Sequence, residues 1–318
     1  MENKQRMNSD IEYVEEICSR YSYPDGTFEA LRGAYESLSE NSADGINFFK
    51  WLSYYEDGGE LTDEVCRALL NETAGAAAAV GESEYTVHLL LLILMSRRMH
   101  ELYRDANISD DIFYDSLADL KWKLYECLRM HGIAGTFVAY WHLRFYKMKL
   151  FALGRLQFEI KKFGNEFSVC GVDLHEDDDV IGVHIPSGRR LIREEYLESY
   201  RRAEKFFSDI FKGGKTVFTC DSWLLFPEHK TMLPEDSGIR IFMEDYSIVK
   251  ARYSKPLERP WPIFYEKRNA PADQLPQNTS LEKAYVERYK KGLPSGSALG
   301  VIIFENGIML NNEGDKMA

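Results

Sequence analysis

Val180-Ile181-Gly182-Val183-His184-Ile185-Pro186-Ser187-Gly188-Arg189-Arg190 reads as an apolar strand entering a glycine-containing turn, and an amphipathic helix over 192–211 follows it. Tyr196, Ala203, Phe206, Phe207 and Ile210 give that helix its apolar face. A strand, a tight turn and a helix start in succession leave backbone N–H groups without intrahelical partners. Such groups suit a phosphate or another anion. Arg189, Arg190 and Arg193 add positive charge at the same place. The plainer reading, an ordinary connection with solvated arginines, stays open on this segment alone.

Outward from this segment the period of the chain changes. Leu156, Phe158 and Ile160 alternate with Gln157, Glu159 and Lys161, which predicts a half-buried strand. Phe167 to Leu174 predicts one more, and the charged turn His175–Asp179 divides it from Val180. Beyond the long helix, Lys215 to Leu225 is the strongest strand, and Pro227 opens a short helix that stops at Leu233-Pro234. Ile239–Met243 and Tyr246–Tyr253 are expected to be extended, and Thr279 with Glu282 forms a capping box for a last helix. The pair Asn306-Gly307 between apolar runs predicts a closing hairpin.

Before about residue 150 the period is helical. Ser9 with Glu12 reads as a capping box ahead of Ile11, Val14, Cys18 and Tyr21. Asp110 to Met130 reads as a single amphipathic helix. The expectation is a bundle of six or seven helices over residues 1–150, followed by an α/β domain over 151–318.

The 318 residues match two domains of ordinary size. Asp and Glu number 51 against 39 Lys and Arg, a net charge of −12, which repels nucleic acid and anionic lipid. The longest apolar run, Leu89–Met95, is far shorter than the ~20 residues of a membrane span. The polar amino-terminal residues carry no apolar signal core. Five widely spaced cysteines contain no CxxC and read as buried thiols of a reducing compartment, so a cytoplasmic protein with no metal is expected.

Three places could carry chemistry. His184 sits at a strand end beside the anion-ready turn, where an imidazole could exchange a proton with an amine. Glu159 alternates onto the face opposite Leu156 and Phe158; burial there would make it a general base, and solvation would make it a surface residue. Asp221 and Ser222 interrupt an apolar strand in Cys220-Asp221-Ser222-Trp223-Leu224-Leu225-Phe226-Pro227. They serve either a functional hydrogen bond or a cap on the neighbouring loop. Ser222 lacks a GxSxG elbow, and Cys220 has no activating neighbour. The acidic run Glu176–Asp179 lacks the spacing and glycine of a calcium loop, and neither HExxH, a Walker loop nor GxGxxG is present.

Leu153-Gly154-Arg155-Leu156-Gln157-Phe158-Glu159, then His184-Ile185-Pro186 with Gly188, then Cys220–Leu225 before Pro227, resemble the GNAT-like C-terminal domain of a family of bacterial acyltransferases. In that family a helical N-acyltransferase N-terminal domain comes first. The resemblance implies an α+β chain: an all-helical N-terminal domain, then a GNAT-like domain with a mixed, mostly antiparallel sheet. It also implies acetyl-CoA or a longer acyl-CoA as co-substrate and a small-molecule amine as acceptor. Ser187, Gly188, Arg189 and Arg190 would hold the cofactor phosphates, and Val183 and Ile185 would lie along the pantetheine. His184 and Glu159 would remove the amine proton, and Ser222 or Asp221 would orient the acceptor or protonate the thiolate. Ordinary GNAT loops carry Q/R-x-x-G-x-G/A, whereas this chain has Gly188 and no second glycine. That departure motivates an alternative, a degenerate ligand- or protein-binding module. A third reading is a hydrolase using Ser222 with His184.

Overall fold

The computed structural model describes residues 2–40, 45–209, 214–255 and 260–311. The chain forms two compact units, Met1–Phe151 and Ala152–Ala318.

The first unit is helical. Its elements are α1 (Glu2–Arg20), α2 (Thr27–Glu40), α3 (Ile46–Glu56), α4 (Asp63–Ala79), α5 (Glu84–Asp105), α6 (Asp110–Leu117), α7 (Asp119–His131) and α8 (Ala139–Tyr146). Helix α5 is the axis, and every other helix of the unit packs against it. Its stretch Thr86–Ser96 is buried without interruption, as a helix surrounded on all sides requires. Among the described residues, no helix is long and apolar enough to cross a membrane.

Two expectations change here. Helix α1 starts well before Ser9, so Ser9 and Glu12 lie inside it rather than at its cap. The expected helix over 110–130 breaks at Ala118 into α6 and α7, and beyond the break Asp119 is buried 3.2 Å from the ring of His142.

The second unit is built on a sheet of β1 (Phe151–Leu153), β2 (Leu156–Lys162), β5 (Asp179–His184), β6 (Lys215–Ser222), β8 (Gly296–Glu305) and β7 (Ser247–Tyr253) in that spatial order, with β9 (Ile308–Met309) added to β8. A separate hairpin, β3 (Phe167–Val169) with β4 (Val172–Leu174), stands between β2 and β5 in sequence. Strands β5 and β6 are parallel, and β2/β5, β6/β8, β7/β8 and β8/β9 are antiparallel. The chain is thus α+β, a helical domain followed by a domain with a mixed, mostly antiparallel sheet.

Helix α9 (Arg193–Phe206) covers one face of the sheet. Its Tyr200 meets Phe158, Phe218 and Phe304 with ring centroids 5.9, 4.8 and 5.2 Å away. The other face is covered in part by the β3–β4 hairpin, whose side chains pack on Phe163, Val180, Val217 and Ile303. Helix α9 ends at Phe206, short of the expected 211, and Ile210 of its expected apolar face lies outside the described residues.

The expected strand over 167–174 is this hairpin, folded at Cys170-Gly171. Residues Ile239–Met243, expected to be extended, belong to α11 (Gly238–Glu244), which follows the short α10 (His229–Met232). Five residues are too few to separate the two periods, and in α11 Phe242 packs on Tyr196 with ring centroids 5.0 Å apart. Helices α12 (Trp261–Phe264) and α13 (Ser280–Lys290) follow, and α13 carries the full Thr279–Glu282 capping box. The Asn306-Gly307 turn joins β8 to β9 as expected.

Candidate functional site

Paired residues of neighbouring strands share a face of the sheet. In the β2–β5 ladder Gln157 faces His184 and Glu159 faces Gly182, so these four occupy one patch, on the face away from α9. Within it the imidazole Nε2 of His184 lies 2.8 Å from Glu159 Oε1. Glu159 is buried while His184 is partly exposed, at 9% and 29% of their side-chain surfaces. The carboxylate is therefore the inner member of the pair and the ring is the member that solvent reaches.

Gly182 makes this arrangement possible. A Cβ on it would sit 3.2 Å from Glu159 Cγ and 2.9 Å from Lys161 Cδ. The absence of a side chain lets Glu159 lie across β5 and reach the ring two residues on. Gln157, buried directly across from His184, has an amide Nε2 with no acceptor among the described residues.

The turn after β5 is organised from beneath. Arg155, which is 5% exposed, donates from Nη1 to the Pro186 carbonyl (3.0 Å), from Nη2 to that of Arg189 (2.9 Å) and from Nε to that of Arg190 (3.3 Å). Burial lowers its guanidinium to about 10, still protonated at neutral pH. Gly188 sits at φ +86°, the left-handed region that glycine adopts without strain. Among the described residues, no acceptor takes the backbone N–H of Ser187, Gly188, Arg189, Arg190, Leu191 or Ile192. Helix α9 begins next, at Arg193, with Ile192 at its N-cap and no side chain capping its first turn. A run of unengaged donors thus leads into a helix N-terminus, which is the chemistry of an anion site.

The arginines divide. Arg189 is exposed and paired with Glu195 at 2.8 Å, while Arg190 projects from the exposed surface of the turn. Arg193 is spent elsewhere: it binds the buried Asp245 through Nη2 (2.9 Å) and Nε (3.2 Å), and Tyr196 donates to the same carboxylate. Its positive charge is neutralised rather than offered to the turn.

Strands β5 and β6 pair only at Ile181/Phe218 and Gly182/Thr219. Past that point Val183–Ile185 and Cys220–Ser222 continue without pairing to each other, so the sheet opens beside His184. Asp221 follows Thr219 on the His184 face and is tied to Arg252 of β7, both half-exposed. Ser222 falls on the opposite face, and its Oγ accepts the Leu224 N–H at 3.2 Å, capping the turn Trp223–Leu225. The structure therefore joins Glu159 with His184, leaves Asp221 on their face, and separates Ser222 from them. Cys220 is fully buried, and burial pushes its thiol up to about 12. A thiolate nucleophile there has no support.

Residues 12–148 match the N-acyltransferase N-terminal domain and residues 150–302 the GNAT-like C-terminal domain. The chain belongs to the acyltransferases that join these two domains. Solved structures of the same fold include an acyltransferase in complex with decanoyl-CoA and teicoplanin, at 20% identity over 91% of this chain and 86% of that one, with a TM-score of 0.64. A mutant acyltransferase in complex with octanoyl-CoA is similar at 21% identity, over 91% and 87%, with a TM-score of 0.66. No curated protein matches this chain. Arg155 and Gly182 are the residues of this candidate site that reading the sequence left without a role. Arg155 stood in the quoted motif, but nothing in one strand's alternation says which loop its guanidinium meets.

Proposed function

We propose that this acyltransferase moves an acyl group from a CoA thioester to the amine of a small-molecule acceptor by direct attack. The observation that carries the reading is the unengaged N–H run Ser187–Ile192 beginning three residues after His184. It fits a pyrophosphate: the donors are backbone groups, they lead into the N-terminus of α9, and Arg190 borders them. From His184 to Gly188 the chain spans at most about 14 Å, so phosphate anchoring and proton transfer lie within one extended cofactor arm. Val183 and Ile185, at the opening between β5 and β6, supply backbone groups for that arm.

His184 accepts the proton of the attacking amine, and the Glu159 carboxylate balances the positive charge that develops on the ring. The amine nitrogen forms its bond to the thioester carbon, the carbon–sulfur bond breaks, and CoA leaves as the thiol by taking the proton that His184 removed from the amine. Asp221 with Arg252 orients the acceptor. Ser222, on the other face, is assigned no step, so hydrolysis through Ser222 and His184 has no geometry behind it. The solved neighbours hold octanoyl- and decanoyl-CoA, which makes such thioesters the first donors to test beside acetyl-CoA, and teicoplanin, held by one of them, is the first acceptor to test. Five free cysteines, four of them buried, agree with a cytoplasmic enzyme.

Titration calorimetry with CoA tests the phosphate site. Binding is expected, and it should weaken when Arg190 and Arg189 are replaced by Ala; no binding, or unchanged binding, overturns the assignment. Initial-rate patterns test direct attack: intersecting lines are expected, and parallel lines would demand a covalent acyl-enzyme.

A further inference from the structure

We infer that Arg155 is the positioning residue that shapes the phosphate loop and so does the work of the second glycine this loop lacks. This deepens the CoA reading and rests on it. In a planar trans peptide the C=O of one residue and the N–H of the next point in opposite directions. Arg155 draws the carbonyls of Pro186, Arg189 and Arg190 to its guanidinium. The N–H groups of Ser187, Arg190 and Leu191 are thereby turned away from it, and these belong to the run that has no protein acceptor among the described residues. In a loop with two glycines, backbone freedom lets the donors converge on a phosphate. Here a buried fork fixes the peptide planes from the opposite side.

The electrostatics point the same way. Arg155 is 5% exposed, and its three acceptors are neutral carbonyls, so a full positive charge lies under the loop without a carboxylate bonded to it. Glu195, an acid whose charge acts on it, already pairs with Arg189. A buried cation with neutral partners is costly to keep. A diphosphate on the far side of the loop would offset that cost, and the charge would in turn favour a polyanion over a neutral ligand. The strand that begins next, β2, holds the guanidinium in place, and the Arg155 N–H donates to Ser199 Oγ of α9 at 2.8 Å.

The test is a comparison of two thioesters carrying the same acyl group, one on CoA and one on pantetheine, which lacks the diphosphate. In the wild type, kcat/KM should favour the CoA thioester. Arg155→Met should reduce that preference at least tenfold, chiefly through KM, and Arg155→Lys, which keeps the charge and loses the fork, should fall between. A loss of equal size on both thioesters in Arg155→Lys, with the preference intact, would make Arg155 a general fold residue and overturn the inference. Circular dichroism of both variants separates folding from binding, and if Arg155→Met does not fold, the Lys variant alone decides. If the wild type itself shows no preference for CoA, the phosphate reading fails before Arg155 is reached, and the inference falls with it.

Discussion

Gly182→Ala tests whether the carboxylate–imidazole pair is what the sheet was built to hold. The new Cβ would lie 2.9 Å from Lys161 Cδ and 3.2 Å from Glu159 Cγ. Ordinary carbon contacts start near 3.5 Å, so Glu159 must yield by about 0.3 Å and Lys161 by about 0.6 Å. Lys161 is exposed and can swing aside, whereas Glu159 is buried and cannot. The displacement therefore falls on the 2.8 Å bond to His184. A charge-assisted bond of this kind is worth about 1.5–3 kcal/mol, and losing roughly 1 kcal/mol of it slows turnover about fivefold. Stability should hardly move, because the backbone gain of about 0.5–1 kcal/mol from Gly to Ala in a strand opposes the crowding. The assay is thiol release under saturating amine, run on Gly182→Ala, Glu159→Ala and the double variant. The fivefold loss should vanish in the Glu159→Ala background; a loss of the same size there would refute the reasoning.

His184→Ala and Glu159→Gln should each cut kcat by about 10²-fold or more while shifting Tm by only a few degrees, checked by turnover and thermal melts; losses confined to Tm would make the pair structural. Ser222→Ala should cost about 1 kcal/mol by removing the cap on Leu224 N–H, with kcat changed less than the stability, measured by urea unfolding and turnover. His229 gives a pH prediction for the second unit. It is fully buried between the Leu224 carbonyl (3.2 Å) and the Tyr285 hydroxyl (2.9 Å), and burial lowers it to about 4. The unfolded chain protonates near 6.5 and the folded one near 4, so stability is complete above 6.5 and falls as pH drops through that interval, by about 3 kcal/mol at its lower end. Urea midpoints from pH 7 to 4 should fall in the wild type and flatten in His229→Gln.

The same four-residue pattern succeeded once and failed once. Thr279 with Glu282 is a true capping box, with reciprocal bonds, because Pro276 three residues upstream stops a helix from running into it. Ser9 with Glu12 has the right letters, but Asn3–Asn8 are compatible with helix and extend α1 through it, and Asp10 is then bound by Tyr35 and Arg97 in the interior. Caps are legible only when something upstream forbids the helix. The order strand, turn, long helix, strand, short helix was legible because its boundaries carry Pro and Gly. Glu159 was not, since alternation gives a face without saying what covers it. Its burial and its bond to His184 depend on β5 lying beside β2, and that adjacency is a non-local fact. Arg155 was hidden for the same reason: its three acceptors lie 31 to 35 residues away.

Both halves of the proposed site hang on the β2–β5 pairing. Arg155 immediately precedes β2 and fixes the loop, and Glu159, four residues on in the same strand, holds the ring of His184. Slipping β2 by one residue would turn Glu159 to the α9 face, because strand side chains alternate, and would carry Arg155 about 3.3 Å from its carbonyls. Phosphate anchoring and proton transfer would then be lost together. What opposes the slip is the apolar set of the same strand: Leu156 and Phe158 are fully buried, and Phe158 packs on Tyr200 and Phe218. Shifting it one position would place Gln157 and Glu159 in that aromatic layer, where an amide and a carboxylate without partners cost several kcal/mol. The alternation that buries Phe158 on one face is therefore also what keeps the carboxylate and the loop in register on the other.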